Sequence, residues 1–140
     1  MITITSKSRY AVQALTELAR LGAVPGGQPV PIAELARRRN IPLQFLEQLF
    51  ATLRRAGMLQ SQRGVKGGYT FVADPSDLTV LQIVQLLEGE FDPEGGGGSN
   101  ETQEIWVRAV AALREVLSNT TIADIMRREA EAAGAPMYYI

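Results

Sequence analysis

Residues 31–72 carry the pattern that most restricts how this chain can fold. Two short helical runs flank a tight break, and two short strands follow at once around a basic, glycine-rich loop. Pro31 opens the first run, which reaches Arg39 and turns Leu35 and Ala36 inward. Asn40-Ile41-Pro42 is the break, a tight punctuation between two helical patterns. The second run, 43–56, lines up Phe45, Leu46, Leu49, Phe50 and Leu53 on one stripe. Gly57 fits its C-terminal cap, with Arg54 and Arg55 at the negative end of the helix dipole. Residues 58–61 and 68–72 then read as strands around the loop at 62–67.

Upstream, Ser6 and Ser8 offer capping hydroxyls to an amphipathic run bearing Ala11, Val12, Leu15, Leu18 and Ala19, which Pro25-Gly26-Gly27 brings to a stop. Downstream, 78–87 reads as a short helix with Thr79 as a cap or first-turn residue. A glycine-rich, acidic loop follows. A long helix at 101–119 carries Ile105, Trp106, Ala109, Val110, Leu113, Val116 and Leu117, a stripe broad for an isolated surface helix. Thr120 and Thr121 cap a last helix at 122–131. The expected fold is therefore mainly α with a small β-hairpin wing. Its parts are a winged helix-turn-helix domain (1–88), a flexible acidic, glycine-rich loop (89–100), a long dimerisation helix with a short C-terminal helix (101–133) and a tail (134–140).

Composition excludes more than it suggests. Among the 140 residues there is no cysteine and no histidine. Disulfides, thiolate nucleophiles, imidazole bases, His/Cys metal sites and cysteine-held iron–sulfur clusters are all ruled out, so no catalytic or metal site is expected. No stretch reaches the roughly 18 apolar residues of a membrane span, which makes the cytoplasm the default location. The formal net charge of −1 hides an asymmetry. Residues 1–66 hold ten Lys and Arg against three acids, a net of +7, and the remainder nets −8. Such a split suits a basic half that meets a polyanion, although a solvated face accounts for the same composition.

The chemistry of the helices and hairpin fits duplex DNA. A helix entering the major groove reads base edges through its N-terminal side chains, and here Gln44, Glu47 and Gln48 are the exposed candidates. Gln pairs bidentately with adenine and Glu accepts from cytosine, while the same residues also suit an ordinary polar surface. A wing needs Gly to turn and cations to meet phosphate or a narrow groove. Arg63 and Lys66, within Arg63-Gly64-Val65-Lys66-Gly67-Gly68, supply both. The Arg37-Arg38-Arg39 run reads equally as a phosphate contact or a solvated helix end.

These segments resemble one family. IPLQFLEQLFATLRRAGML, RGVKGGYTF, LTVLQIVQLLEG, the opening SKSRYAVQALTELA and the W…VLSNTTIADI block together look like the Rrf2 family of bacterial transcription factors. The resemblance implies a homodimer in which Trp106, Val110, Leu113 and Leu117 pair with their twins across a two-fold axis, presenting two reading helices to a near-palindromic operator. It implies that Gln44 and Gln48 face bases with Glu47 modulating preference, and that Arg63 enters the minor groove. It also implies that Ser6, Lys7, Ser8 and Tyr10 hold phosphate. Many members bind an iron–sulfur cluster through three cysteines in the loop after the LEG helix. This chain has none there, so no cofactor is expected and a signal must enter another way. The ending Met137-Tyr138-Tyr139-Ile140 is similar to that of a cluster-free branch that represses cysteine metabolism together with cysteine synthase (O-acetylserine sulfhydrylase). It also resembles the isoleucine ending by which serine acetyltransferases enter that enzyme's active site. Tyr138, Tyr139 and Ile140 are therefore the expected contacts for cysteine synthase. The alternatives are a chain that chiefly inhibits cysteine synthase, a repressor answering an unrelated small ligand, and a tail that simply packs on the core.

Overall fold

The computed structural model describes residues 3–91 and 100–134. In chain order these form α1 (Ser6–Arg20), α2 (Ile32–Arg39), α3 (Leu43–Arg55), β1 (Leu59–Gln62) and β2 (Gly68–Phe71), then a 3-10 turn at Pro75–Asp77, α4 (Val80–Glu88), α5 (Asn100–Ser118) and α6 (Ile122–Gly134). The strands pair antiparallel, Leu59 opposite Phe71 and Gln62 opposite Gly68. The winged helix-turn-helix arrangement is present, mainly helical with one hairpin.

The breaks are built from backbone chemistry that the sequence announced. α2 ends on Asn40 in left-handed conformation (φ 53°), where the Ile41 amide donates to the Ala36 carbonyl at 2.9 Å. α3 ends on Gly57 with the same closure, Met58 N–H donating to the Leu53 carbonyl at 3.0 Å. Sequence reasoning placed the cap of α1 on the wrong hydroxyl. Thr5 is the N-cap, accepting from the Lys7 amide at 3.2 Å. Thr79 closes a reciprocal capping box with Gln82 at the start of α4, and Thr121 does the same with Asp124 ahead of α6. These two threonines also bridge each other, which ties the entrances of α4 and α6 together.

One core gathers α1, α2, α3, the hairpin and α4 around Leu15, Leu18, Leu46, Phe50 and Phe71, all essentially inaccessible. Ile122 of α6 is buried in the same core. α6 also lies against α1, so this last helix packs on the winged body. A smaller second core joins Val80 and Val84 of α4 to Phe91 and Val110, with Leu113 and Leu117 packed against it.

Candidate nucleic-acid interface

The recognition-helix candidates stand where the pattern put them. Leu46, Leu49, Phe50 and Leu53 anchor α3 in the core, which leaves Gln44, Glu47 and Gln48 exposed on its opposite face. The helix is pinned at both flanks by ring contacts. Tyr10 of α1 meets Phe45 edge-on at 5.6 Å, and Phe50 meets Tyr69 of β2 edge-on at 5.1 Å. Lys7, at the start of α1, shares a small cleft with Gln48 and Thr52, so the first helix brings a cation beside the reading face. Ser6 is exposed next to it.

Ser8 is a correction. It is buried, and its hydroxyl donates to Glu88 at 2.9 Å, which leaves it unable to hold phosphate. Tyr10 is half-buried with its ring committed to Phe45, a role in placing α3. The residue that sequence reasoning missed is Glu88. Its carboxylate takes the Thr5 amide at 2.6 Å, the Thr5 hydroxyl at 2.8 Å and the Ser8 hydroxyl, stitching the end of α4 to the start of α1. Burial pushes this carboxyl upward, but the hydrogen bonds from Thr5 and Ser8 outweigh it and hold the group below the usual glutamate range. The acid within LEG was the signal available for it.

The wing is shaped by steric necessity. Tyr69 of β2 exchanges backbone hydrogen bonds with Val30 at 2.8 and 3.0 Å, which brings Gly68 so close that a Cβ there would lie 2.3 Å from the Val30 carbonyl. At the tip, the Gly67 amide donates to the Gly64 carbonyl at 3.0 Å, and a Cβ on Gly67 would strike the Gln62 carbonyl. Arg63 and Lys66 project from this turn, exposed and in no ion pair among the described residues.

In the arginine run Arg37 stays at a solvated helix end, whereas Arg38 and Arg39 reach acids on other helices. Arg37 and Arg38 pair with Glu34 at 2.6 and 2.7 Å. Arg39 bridges buried Glu17 of α1 at 2.9 Å and Glu129 of α6 at 2.7 Å, and Arg20 also pairs with Glu17. Burial raises the Glu17 carboxyl, yet hydrogen bonds from Arg20 and Arg39 prevail and hold it low. The run is thus an internal network joining α1, α2 and α6. Of the ten cations in the basic half, Lys7, Arg9, Arg54, Arg55, Arg63 and Lys66 stay outside it, against Glu47 alone among its acids. The polyanion-facing surface is narrower than the net charge implied, and less diluted by acid.

The stripe on α5 also divides. Val110 is buried in the chain's own second core, with Leu113 and Leu117 half-buried against it, because this face of the helix lies on α4. Three of the four residues expected to pair with a twin are therefore used within the chain. Trp106 is the exception, 58% exposed, and it is accompanied by Ile105, Val107 and Val116 as exposed apolar side chains. Tyr138, Tyr139 and Ile140, with the whole tail reading, lie outside the described residues. No described helix is long and apolar enough to cross a membrane.

Comparison with known proteins agrees with this geometry. The family model described as Rrf2, iron-dependent transcriptional regulator, matches residues 4–128. The transcriptional regulator CymR of Bacillus subtilis (strain 168) is 34% identical over 139 residues, covering 98% of this chain and 99% of that protein. The regulator IscR of Photobacterium profundum is 35% identical over 132 residues, covering 89% of this chain and 75% of that one. The solved structure of B. subtilis CymR, described as the global cysteine regulator, superposes with a TM-score of 0.82 at 33% identity, covering 91% of this chain and 98% of that chain. The chain has neither thiolate nor imidazole, and the described residues gather no group of carboxylates able to hold a metal ion.

Proposed function

The chain belongs to the Rrf2 family of transcriptional regulators and is not an enzyme, and from that premise we propose that it is a homodimeric, sequence-specific DNA-binding repressor acting in the cytoplasm. The observation that carries this reading is the pairing of an exposed Gln44/Glu47/Gln48 face on an anchored α3 with wing cations that are in no ion pair among the described residues. Gln44 and Gln48 contact base edges, Glu47 tunes the base preference, and Ser6, Lys7 and Lys66 meet phosphate. Arg63 enters the minor groove. The dimer forms through the part of the α5 apolar surface that α4 leaves uncovered, where Trp106, Ile105 and Val116 are exposed.

The regulated genes are those of cysteine and sulfur metabolism, and cysteine synthase is the co-regulator, engaged through Tyr138, Tyr139 and Ile140. Near-complete coverage of CymR and the lack of cluster ligands support this branch, although an IscR is equally close in identity. The test is to mix the purified protein, cysteine synthase and a cysteine-gene promoter fragment, with and without O-acetylserine. A ternary response that disappears on deleting Ile140 is expected. Recovery of the enzyme by the truncated chain, or indifference to O-acetylserine, overturns the partner assignment. Arg63→Ala should weaken promoter binding and flatten its selectivity while the dimer persists, and wild-type affinity in that variant overturns the wing assignment.

A second reading rests on a cavity of about 370 Å³ between α1, α4 and α5, walled by Ile4, Val12, Val80, Val84 and Leu117 with Arg9 on its lining. A small apolar carboxylate fits that chemistry, and its position against both α1 and α5 would let it bias DNA binding.

A further inference from the structure

The wing tip holds an apolar side chain that neither folding nor charge explains. Gly64, Val65, Lys66 and Gly67 form one turn closed by the 3.0 Å hydrogen bond from Gly67 to Gly64, with Val65 and Lys66 as its two central residues. Val65 is fully exposed, at 104% of the reference value, whereas the next most exposed large apolar residue among the described residues, Val116, reaches 63%. It packs against nothing, so its removal costs the fold nothing. Neither Val65 nor Lys66 has a positive φ, so the turn tolerates most residues at its centre and its backbone gives no reason for an apolar one.

Its neighbours say what it meets. Arg63 and Lys66 flank Val65 within the same loop, both exposed and neither in an ion pair among the described residues. An apolar point between two cations matches the cross-section of a duplex minor groove, with phosphate walls on either side and a floor of sugar and base edges. We propose that Val65 is an apolar wedge that the wing presses into the operator's minor groove at a deformable pyrimidine–purine step. It thereby adds affinity and shape-dependent selectivity that no hydrogen bond provides. This inference rests on the DNA-binding reading above and assigns the wing tip a contact distinct from that of its cations. Valine is stiff at χ1, so little rotamer freedom is lost on insertion.

The wedge and the cations differ in their response to salt. Phosphate contacts release counterions and steepen the dependence of affinity on salt, whereas burial of an apolar side chain does not. The experiment uses the full-length protein and a duplex enriched by it from a random-sequence pool, titrated across a range of salt concentrations. Val65→Ser should weaken binding about ten-fold at every salt concentration with the slope unchanged, the size expected for losing one buried valine. Lys66→Ala should instead reduce the slope by about one. Thermal unfolding of V65S should match the wild type, which separates the effect from misfolding. Wild-type affinity in V65S, or a loss that appears as a changed slope, overturns the wedge while leaving the DNA-binding reading intact. Failure of the wild-type protein to enrich any duplex overturns both.

Discussion

Glu88 does at the scale of one side chain what the family pattern alone does not explain. Its carboxylate holds the first turn of α1 against the last turn of α4 through Thr5 and Ser8. The same contacts fix where Lys7 stands beside Gln48. Glu88→Ala should lower stability by about 2–3 kcal/mol, because the Ser8 hydroxyl is left buried without an acceptor. A urea titration measures this, and an unchanged midpoint would remove Glu88 from the list of structural anchors. Ser8 shows why a hydroxyl near a helix start is ambiguous in sequence. The residue type suits capping, phosphate binding and internal bonding alike, and burial against α4 selects the last.

Among the elements, α5 divides its apolar surface between two duties. Val110, Leu113 and Leu117 lie on α4, whereas Trp106, one turn earlier on the same line, and Ile105 and Val116 beside that line stay exposed. Substitutions at Trp106 and at Val110 have different expected outcomes. Trp106→Glu should convert a dimer to monomers in sedimentation while the melting transition of the isolated chain persists. Val110→Ala should cost about 1–3 kcal/mol of folding stability with association retained, since it opens a gap in the second core. Equal effects of the two on association would contradict that division. The stripe itself was legible from spacing. Which part of it points inward was not, because a helix of 19 residues presents more apolar surface than one neighbour covers, and only the docking of α4 apportions it.

Across the whole molecule, Glu17 and Arg39 connect the helix-turn-helix to α1 and α6. Because Glu17 titrates below its ordinary value in the folded protein, its contribution is fully present above the unfolded carboxylate value of about 4.3 and is lost as pH falls through the lower folded value. Glu17→Gln should cost about 3 kcal/mol near neutrality, by leaving Arg39 short of a partner where it is largely buried. The gap between variant and wild type should begin to close as pH falls below about 4.3, where the unfolded chain takes up a proton that the folded carboxylate accepts only at lower pH. Denaturant midpoints over that range decide it, and a gap that widens in acid would reverse the assigned sign. The arginine run was visible in sequence, but its function was not. Its partners Glu17 and Glu129 are distant in the chain and meet it only when α1 and α6 pack together.

Helices, breaks and hairpin followed from the sequence, as did the caps at Gly57 and Thr121 though not that of α1, because periodicity, Gly57 and the glycine-rich loop act on neighbouring residues through local sterics and hydrogen bonds. The absence of cysteine and histidine likewise determined, without coordinates, that a thiolate-held cluster cannot form. The exposed reading face of α3 followed too, since an apolar stripe leaves its opposite side to solvent. Only the tertiary structure decided which polar groups were already taken. Ser8 belongs to Glu88, three arginines of one run belong to Glu34, Glu17 and Glu129, and Val110 belongs to the chain's own core. Those assignments depend on contacts between residues far apart in the chain, where burial and pairing are set by packing and no local pattern records them.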